Sequence, residues 1–474
     1  MTRLIKKLIL LTFLLSLTTS YLFAQQQFVG SWYGTLKIQG IDLPLVFNIS
    51  GNATAGFKTT MDSPAQKAKG IPVEKTTVQG AALLIESAMM KLSYSGNYIA
   101  GSNKIKGVFK QNGLELDLTL DKNKPAEAVA KNRPQEPKTF PYKQEEVVFT
   151  NPKGRNKLAG TLTMPRNGKP SKVIVLISGS GAQDRNSLLL GIDHRPFLVW
   201  SDWLTRQGIA VLRYDDRGVW KSTGNFNLAT TADFADDAEA AVKYISSRAD
   251  LKGVAIGLLG HSEGGMIAPM VATRNPSVAF MVLLAAPGLK VTEVMERQVR
   301  DQLKLSGMND SAMAASLAIS KSLYAATLRY KALPMEEFKK KFAADYGKTV
   351  RANMKHLPGS NADNMINQAV ATVATPSFRY FVNANPGDYL SKVKCPVLAI
   401  NGTLDMQVNS EANLKGIKAN LEKAGNKKFE IVAMEGLNHL LQKAETGALP
   451  EYTTISETVN PAVLKKVSDW VIKR

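Results

Sequence analysis

The sequence predicts an α/β protein in two parts: a small all-β domain, either a sandwich or a barrel, and then a mostly parallel sheet with a helical cap insertion. Three observations predict this fold. Short apolar runs of period two, separated by glycine and asparagine, occupy residues 28–120. Continuous apolar runs then alternate with helical patterns across residues 143–474. Between about 289 and 392 the strand signal disappears and helical spacing dominates.

The composition limits the class of protein. The chain has 474 residues, of which 44% are hydrophobic and 21% are charged, so it is long enough for two or three domains with large cores. These values exclude a disordered, collagenous or coiled-coil chain. The single cysteine excludes an internal disulfide and any multi-cysteine zinc or iron–sulfur site. We expect no metal and no organic cofactor.

The formal net charge of +20 is the one unusual value. Such basicity is compatible with nucleic acid, anionic membranes or acidic polysaccharides as partners. A lysine-rich solvated surface explains it equally well and is the commoner cause. The sequence has no nucleic-acid-binding motif with interleaved aromatic residues and glycines, so we expect no nucleic-acid partner.

The first 24 residues have the pattern of a secretory signal peptide. Positively charged Arg3, Lys6 and Lys7 precede a mostly apolar run over residues 8–17. Cleavage is expected after Ala24, and an uncleaved anchor is the alternative, although the run is short for a membrane span. No cysteine follows the run that could bear a lipid anchor, and no later segment is apolar enough to cross a bilayer. We predict a periplasmic or secreted protein.

The all-β domain is predicted over residues 28–120. Its clearest strand, Leu114 to Leu120, has leucine at every second position on one face and Glu115, Asp117 and Thr119 on the other. A stretch rich in lysine and proline, residues 121–142, follows and is typical of a linker.

The second domain, residues 143–474, is predicted from buried-strand runs separated by helical patterns. The strand-like runs are Val173 to Ile177, Ile209 to Leu212, Val254 to Leu259, Phe280 to Leu284, Val397 to Ile400 and Phe429 to Met434. The clearest helices are Phe234 to Arg248 and Gly265 to Ala272, and Pro269 is expected to kink the second. The cap at about 289–392 contains six of the 16 methionines, which we interpret as core filler rather than as the lining of an acyl-binding pocket.

The strongest motif is Gly260-His261-Ser262-Glu263-Gly264, which follows a predicted strand directly and precedes a predicted helix. A nucleophile on so sharp a turn needs small flanking residues, and glycine fits best. The turn lifts the Ser262 hydroxyl clear of the sheet and places the Glu263 backbone N–H beside it. The motif therefore predicts Ser262 as a nucleophile.

Ser262 needs a base to remove its proton, and the chain has four histidines. His261 lies inside the turn, where packing is the simpler role. His194 and His356 lie in proline-bearing segments with no strand just before them. His439 comes soon after the strand-like run 429–434, and the loops after parallel strands are where such sheets gather their active sites. We predict His439 as the base.

The acid that orients this base should also follow a strand. Asp405 lies in the loop after the run Val397 to Ile400, although a turn aspartate that caps a helix is the structural alternative. Glu435 is a weaker rival, because a residue four positions before His439 is expected to end the strand. The predicted order along the chain is Ser262, Asp405, His439.

The turn, the triad order and the strand pattern resemble the α/β-hydrolase superfamily, and within it the exported bacterial esterases of the serine-aminopeptidase-like branch that have an N-terminal β domain. The supporting segments are Ile177 to Arg185, Arg213 to Gly218 and Gly436 to His439. The resemblance covers residues 145–474 firmly and residues 28–120 more loosely. It implies an α/β-hydrolase sheet with a helical cap.

The resemblance also implies an oxyanion hole, in which two backbone N–H groups stabilise the negative oxygen of the transition state. The matching donors are Glu263 and either Ser180 or Gly181. The chain departs from many relatives in having Ser178-Gly179 in place of His-Gly, and it has Trp220 where glycine is frequent.

Three charged loop residues, Asp184, Arg185 and Arg217, could bind substrate, but we expect them to hold loops through ion pairs.

These observations favour an exported serine hydrolase that cleaves carboxylic esters through an acyl-enzyme. A serine peptidase or aminopeptidase that acts on short peptides with the same triad is the close alternative. A non-catalytic envelope binding protein on a hydrolase scaffold is the alternative from another class, since a fold does not guarantee activity. The expected partner is a small-molecule ester or a short peptide.

Overall fold

The computed structural model describes residues 26–38, 41–64, 68–111, 114–124, 133–189, 192–305, 307–357 and 361–474. The predicted signal peptide, residues 1–24, lies outside the described residues, as does the middle of the predicted linker. The described residues fall into two compact units, one drawn from 1–130 and 190–193 and the other from 131–189 and 194–474.

The N-terminal unit is a nine-stranded antiparallel sheet in the order β4-β3-β2-β1-β9-β8-β7-β6-β5. The strands are β1 (Gly30–Ile38), β2 (Ile41–Asn52), β3 (Gly56–Ser63), β4 (Ala68–Val73), β5 (Lys75–Gln79), β6 (Ala82–Ser87), β7 (Leu92–Ile99), β8 (Lys104–Gln111) and β9 (Leu114–Asp121). The Thr76 hydroxyl on β5 donates to the Thr59 hydroxyl on β3 at 2.8 Å, so the two ends of the sheet approach each other. The unit is therefore barrel-like rather than a sandwich.

Alternation along the strands fills the interior of this unit. Leu118 and Leu120 are buried, as their period-two pattern predicts, while the alternating residues Asp117 and Thr119 face outwards. Trp32 is fully buried, and its indole N–H donates to the Phe28 carbonyl at 2.7 Å. A buried indole needs such an acceptor, because an unpaired polar group inside a core is costly.

The second unit contains an eight-stranded sheet in the order β10-β11-β13-β12-β14-β15-β16-β17. Its strands are β10 (Lys143–Asn151), β11 (Asn156–Met164), β12 (Lys172–Ile177), β13 (Ala210–Tyr214), β14 (Ala255–His261), β15 (Val278–Leu284), β16 (Val397–Gly402) and β17 (Phe429–Met434). The pairs β10–β11 and β11–β13 are antiparallel, and the remaining pairs are parallel. The predicted mostly parallel sheet is thus confirmed.

Helices cover both faces of this sheet. The helices in the described part of this unit are α1 (Pro196–Arg206), α2 (Thr231–Ser247), α3 (Glu263–Ala272), α4 (Val291–Leu305), α5 (Asp310–Tyr330), α6 (Met335–Asn353), α7 (Ala362–Val373), α8 (Pro376–Asn383), α9 (Gly387–Leu390), α10 (Ser410–Lys423) and α11 (Pro461–Ile472). In β12, Ile174 and Leu176 pack with α1 and α11, whereas Val173 and Val175 pack with α2 and α3. Both faces of β12 are apolar because both are covered.

The helices α4–α9 lie between β15 and β16 in the chain, and α5–α8 pack around one apolar core that forms the cap. Its core includes Phe338, Phe342 and Tyr346, whose rings stack in sequence at 5.9 and 5.3 Å between centroids. Met335 and Met365 pack against this core, as expected of filler methionines. No helix among the described residues is long and apolar enough to cross a membrane.

Candidate active site

The turn that bears Ser262 joins β14 to α3. Ser262 has φ 55° and ψ −119°, a backbone conformation that is strained for a residue with a side chain. Its N–H donates to the Leu284 carbonyl of the neighbouring strand at 2.9 Å, which holds the turn against β15. The glycines on either side leave no room for larger residues: a Cβ on Gly260 would lie 2.1 Å from the Gly264 oxygen, and one on Gly264 would lie 2.2 Å from the Ile177 oxygen.

A histidine and a carboxylate meet in the loops after the last two strands. His439 Nδ1 lies 2.8 Å from Asp405 Oδ2. The other Asp405 oxygen accepts the backbone N–H groups of Gln407 and Val408, each at 2.8 Å. Both side chains are buried, whereas the rival acid Glu435 is exposed. Because the carboxylate accepts from Nδ1, the neutral imidazole has its proton there and leaves Nε2 free to accept another.

His261 links the turn to the His439 loop. Its Nε2 lies 2.9 Å from the His439 carbonyl oxygen, which can only accept, so Nε2 is the protonated nitrogen of His261. The two rings are tilted with their centroids 4.9 Å apart. Burial, with the neighbouring His439, lowers the pKa of His261 to about 4. This contact spans 178 positions in the chain, and sequence reasoning missed it.

The loop after β12 runs beside the turn. A Cβ on Gly179 would lie 3.1 Å from Ser262 Cβ, which places this loop next to the serine. The Ser180 hydroxyl donates to Glu263 Oε2 at 2.7 Å, so the two predicted oxyanion residues are joined through their side chains. The other Glu263 oxygen accepts the Thr231 hydroxyl of α2 at 2.6 Å. No motif in the sequence marks Thr231, apart from its place just before the helical pattern that begins at Phe234.

A second buried carboxylate, Asp216, holds the same loop. It accepts the Ser178 hydroxyl at 2.8 Å and the Gln183 N–H at 3.0 Å. Burial raises the pKa of Asp216 to about 7, the two hydrogen bonds oppose this rise, and the like charges of Asp237 and Glu263 add to it. Asp216 lies within the segment Arg213 to Gly218, and no motif in the sequence pointed to this role.

The three charged loop residues make contacts within and between loops, Arg185 and Arg217 through ion pairs and Asp184 through hydrogen bonds. Arg185 lies 2.8 Å from Asp215 and 2.7 Å from Glu146, and Arg217 lies 2.6 Å from Asp237. The Asp184 carboxylate accepts two backbone N–H groups of its own loop. These contacts fit the prediction that the three residues hold loops together.

The remaining two histidines make hydrogen bonds to other parts of the chain. His194 Nε2 donates to the Thr458 carbonyl, and His356 Nδ1 pairs with the Ser311 hydroxyl in the cap. Among the described residues, no group of three or more His, Cys, Asp or Glu side chains is placed to hold a metal ion.

Comparison with known families gives a match over residues 197–446, just over half of the chain, to the family described as serine aminopeptidase, S33. The chain belongs to this α/β-hydrolase family. The resemblance drawn from the sequence motifs is therefore confirmed, and the α/β-hydrolase fold with it. The matched range includes the Ser262 turn, the cap, Asp405 and His439.

Individual proteins similar to this α/β hydrolase share low sequence identity with it. It is 26% identical over 321 residues to the esterase EstD of Thermotoga maritima, a match that covers 67% of this chain and 66% of the relative, just under two thirds of its length. Among solved structures, an esterase of Pyrococcus furiosus has 16% identity and a TM-score of 0.40, with 70% of this chain and 90% of that one covered. A Pseudomonas aeruginosa protein titled hypothetical has 15% identity and a TM-score of 0.43, with 74% and 99% covered.

Proposed function

We propose that this α/β hydrolase is a serine esterase in which Ser262, His439 and Asp405 form the catalytic triad. The observation that carries the proposal is the 2.8 Å hydrogen bond between His439 and Asp405, in loops that His261 ties to the Ser262 turn. The similarity to the esterase EstD supports an ester as the substrate.

In the proposed mechanism, the Ser262 hydroxyl attacks the acyl carbon while His439 Nε2 takes its proton. Asp405 keeps the His439 proton on Nδ1 and stabilises the imidazolium that forms. The carbonyl oxygen becomes an oxyanion, which accepts from the backbone N–H of Glu263 and of Ser180 or Gly181. His439 then gives its proton to the departing alkoxide, and an acyl-enzyme remains on Ser262. Water, deprotonated by His439, releases the acid and restores the serine.

The test compares hydrolysis of p-nitrophenyl acetate and butyrate by the purified protein and by Ser262→Ala. Loss of a triad serine is expected to reduce kcat by about 10⁶-fold. The exposed Ser171→Ala is the matched control and should keep full activity. A fluorophosphonate should add covalently to the wild-type peptide that contains Ser262, and mass spectrometry should find no adduct in the Ser262→Ala variant. Equal rates for wild type and Ser262→Ala would exclude this mechanism.

The second candidate is a serine aminopeptidase, which the family description favours. The same triad cleaves an amide when the leaving amine receives the His439 proton. Amino-acid p-nitroanilides distinguish the two substrate classes, because a peptidase should give the larger kcat/KM on them and an esterase on the p-nitrophenyl esters. Absence of Ser262-dependent turnover on both classes would instead favour a non-catalytic binding protein.

We also propose that the protein is exported to the periplasm or secreted after cleavage at Ala24. The support is the charged start and the apolar run over residues 8–17. Expression of the full chain in a bacterial host should yield a product that begins at Gln25 by mass spectrometry. Leu14→Arg places a charge within the apolar run and should leave the precursor unprocessed. A wild-type product that keeps Met1 in the cytoplasm would contradict export.

A further inference from the structure

The Glu263 side chain has no part in the proposed chemistry, although it directly follows the nucleophile. Glu263 is the first residue of α3 and is 8% exposed. Its two carboxylate oxygens accept from different elements: Oε2 from Ser180 in the loop after β12, and Oε1 from Thr231 at the start of α2. The carboxylate therefore connects three segments of the chain at one point.

Hydrogen bonds to a carboxylate are shorter and stronger than those between neutral groups. The O···O distances of 2.7 and 2.6 Å are typical of such bonds. The position in the first turn of a helix also stabilises the negative charge, because the helix N-terminus is the positive end of its dipole. Glu263 is thus a strong and fixed acceptor for the Ser180 hydroxyl.

Besides its contact with Glu263, the Ser180 loop is anchored near its two ends and by the Gln183 side-chain amide, which donates to the Ser180 carbonyl at 3.1 Å. Asp216 accepts the Ser178 hydroxyl and the Gln183 N–H, and its own N–H donates to the Gln183 carbonyl at 3.1 Å. Ser180 is exposed, and its hydroxyl contact with Glu263 ties the middle of the loop to the first turn of α3, whereas the Gln183 contact lies within the loop itself. The middle of the loop is where the second oxyanion donor is expected.

A carboxylate beside a site where negative charge develops opposes catalysis through like-charge repulsion. Its presence next to Ser262 therefore calls for a compensating benefit. The available benefit is geometric, because the backbone N–H of Glu263 is one proposed donor and its side chain holds the loop that bears the other. Donor groups must lie within a few tenths of an ångström of the oxyanion position to be effective.

We propose that the Glu263 side chain is a positioning residue that sets the separation of the two oxyanion donors by binding the Ser180 hydroxyl. This inference rests on the proposed esterase function and adds to it a role for a side chain that does not touch the substrate. Thr231, on the other oxygen, orients the carboxylate.

The test uses Ser180→Ala, Glu263→Ala and Glu263→Gln in the purified protein with p-nitrophenyl butyrate. Ser180→Ala and Glu263→Ala free the loop and should lower kcat by about 10- to 100-fold, as expected when a donor is displaced by about 1 Å. KM should change less than about threefold, because the ground-state ester makes weaker use of the oxyanion hole. Glu263→Gln keeps an oxygen acceptor at the same reach and should recover most of the loss in kcat.

The inhibition constant of a trifluoromethyl ketone provides a measurement that a general loss of protein stability does not change. Ser262 adds to its carbonyl carbon, the serine proton passes to His439, and the carbonyl oxygen becomes an anion in the oxyanion hole. Its inhibition constant should rise in Ser180→Ala by the same factor by which kcat falls. Tyr142→Phe is the matched control, because it removes another hydroxyl–carboxylate bond, 2.8 Å to Asp202, and should leave both values unchanged.

The double variant Ser180→Ala with Glu263→Ala should be no slower than the slower single variant, since both remove the same contact. Ser180 is exposed, so its variant stays informative if Glu263→Ala fails to fold. If Ser262→Ala abolishes turnover while Ser180→Ala keeps kcat within twofold, the esterase proposal stands and the positioning role of Glu263 is wrong. Multiplicative losses in the double variant would also overturn it. If Ser262→Ala retains wild-type turnover, both proposals fail.

Discussion

Replacement of Asp405 by asparagine should preserve the loop around it while presenting an amide N–H to His439 in place of an acceptor. Asp405 Oδ1 accepts the backbone N–H groups of Gln407 and Val408, both at 2.8 Å, and the residue is 3% exposed. The asparagine oxygen should remain on those two donors. Its NH₂ group then faces His439 Nδ1, which must give up its proton and accept instead, so Nε2 is protonated and useless as a base.

The size of the effect follows from the cost of the opposite orientation. Turning the amide so that its oxygen faces His439 leaves the N–H groups of Gln407, half-buried, and Val408, buried, facing an NH₂ group, at about 1–3 kcal/mol each. The productive orientation is therefore less stable by about 2–6 kcal/mol, which corresponds to a reduction in kcat of about 30-fold to 10⁴-fold. The upper end equals the loss of about 10⁴-fold seen when the acid of a serine protease triad becomes asparagine.

The assay is steady-state hydrolysis of p-nitrophenyl acetate by wild type and Asp405→Asn, with a urea unfolding curve for each. The unfolding midpoint should change little, since the variant keeps both backbone hydrogen bonds of Oδ1. Asp388→Asn, at an exposed position in α9, is the matched control and should retain full activity. A kcat for Asp405→Asn within threefold of wild type would refute the tautomer argument and the assignment of Asp405 as the acid.

Three further replacements test packing and ionisation. Gly264→Ala places a Cβ 2.2 Å from the Ile177 carbonyl oxygen and should lower the free energy of unfolding by about 3 kcal/mol or more, whereas Gly168→Ala, with no atom within 4 Å, should cost about 1 kcal/mol; urea titration compares them. Burial lowers the pKa of His194 to about 3, so native stability is complete above about pH 6.5 and falls with decreasing pH by up to about 1.4 kcal/mol per unit. His194→Phe should make unfolding free energies measured between pH 6.5 and 4 less pH-dependent, and an unchanged slope would contradict this. Trp32→Ala, at a fully buried position, should cost about 3–5 kcal/mol in the N-terminal unit, measured by the shift of its unfolding transition in circular dichroism.

Much of the second unit could be predicted because its signals are local. The run Phe429 to Met434 is a strand with those bounds, and the other buried runs differ from their strands by one or two residues at most ends. The Ser262 turn could also be predicted from its glycines. A Cβ on Gly260 or Gly264 would lie 2.1 or 2.2 Å from a backbone oxygen, so only glycine fits at either position. Buried strands and glycine turns of this kind depend on residues only a few positions apart, so they can be recognised in the sequence.

The antiparallel strands at the edge of the sheet were harder to predict from the sequence. Strand β10, Lys143–Asn151, begins Lys-Gln-Glu-Glu and alternates buried with exposed residues, so it lacks the continuous apolar run by which the central strands were recognised. For the N-terminal unit, the sequence likewise did not distinguish a barrel from a sandwich. The hydrogen bond between Thr59 and Thr76, which indicates the barrel-like arrangement, joins β3 and β5, and these strands lie near opposite ends of the sheet order.

The sequence by itself determined the two-part architecture, the Ser262 turn and a short list of candidate bases and acids, because hydrophobic period and turn chemistry depend on residues close together in the chain. Only the tertiary structure decided that Asp405 rather than Glu435 meets His439, that His261 holds the His439 carbonyl, and that Glu263 binds Ser180. These contacts join residues 34, 178 and 83 positions apart. Whether such groups meet within 3 Å depends on how every strand and helix between them packs, and that packing is a property of the whole chain.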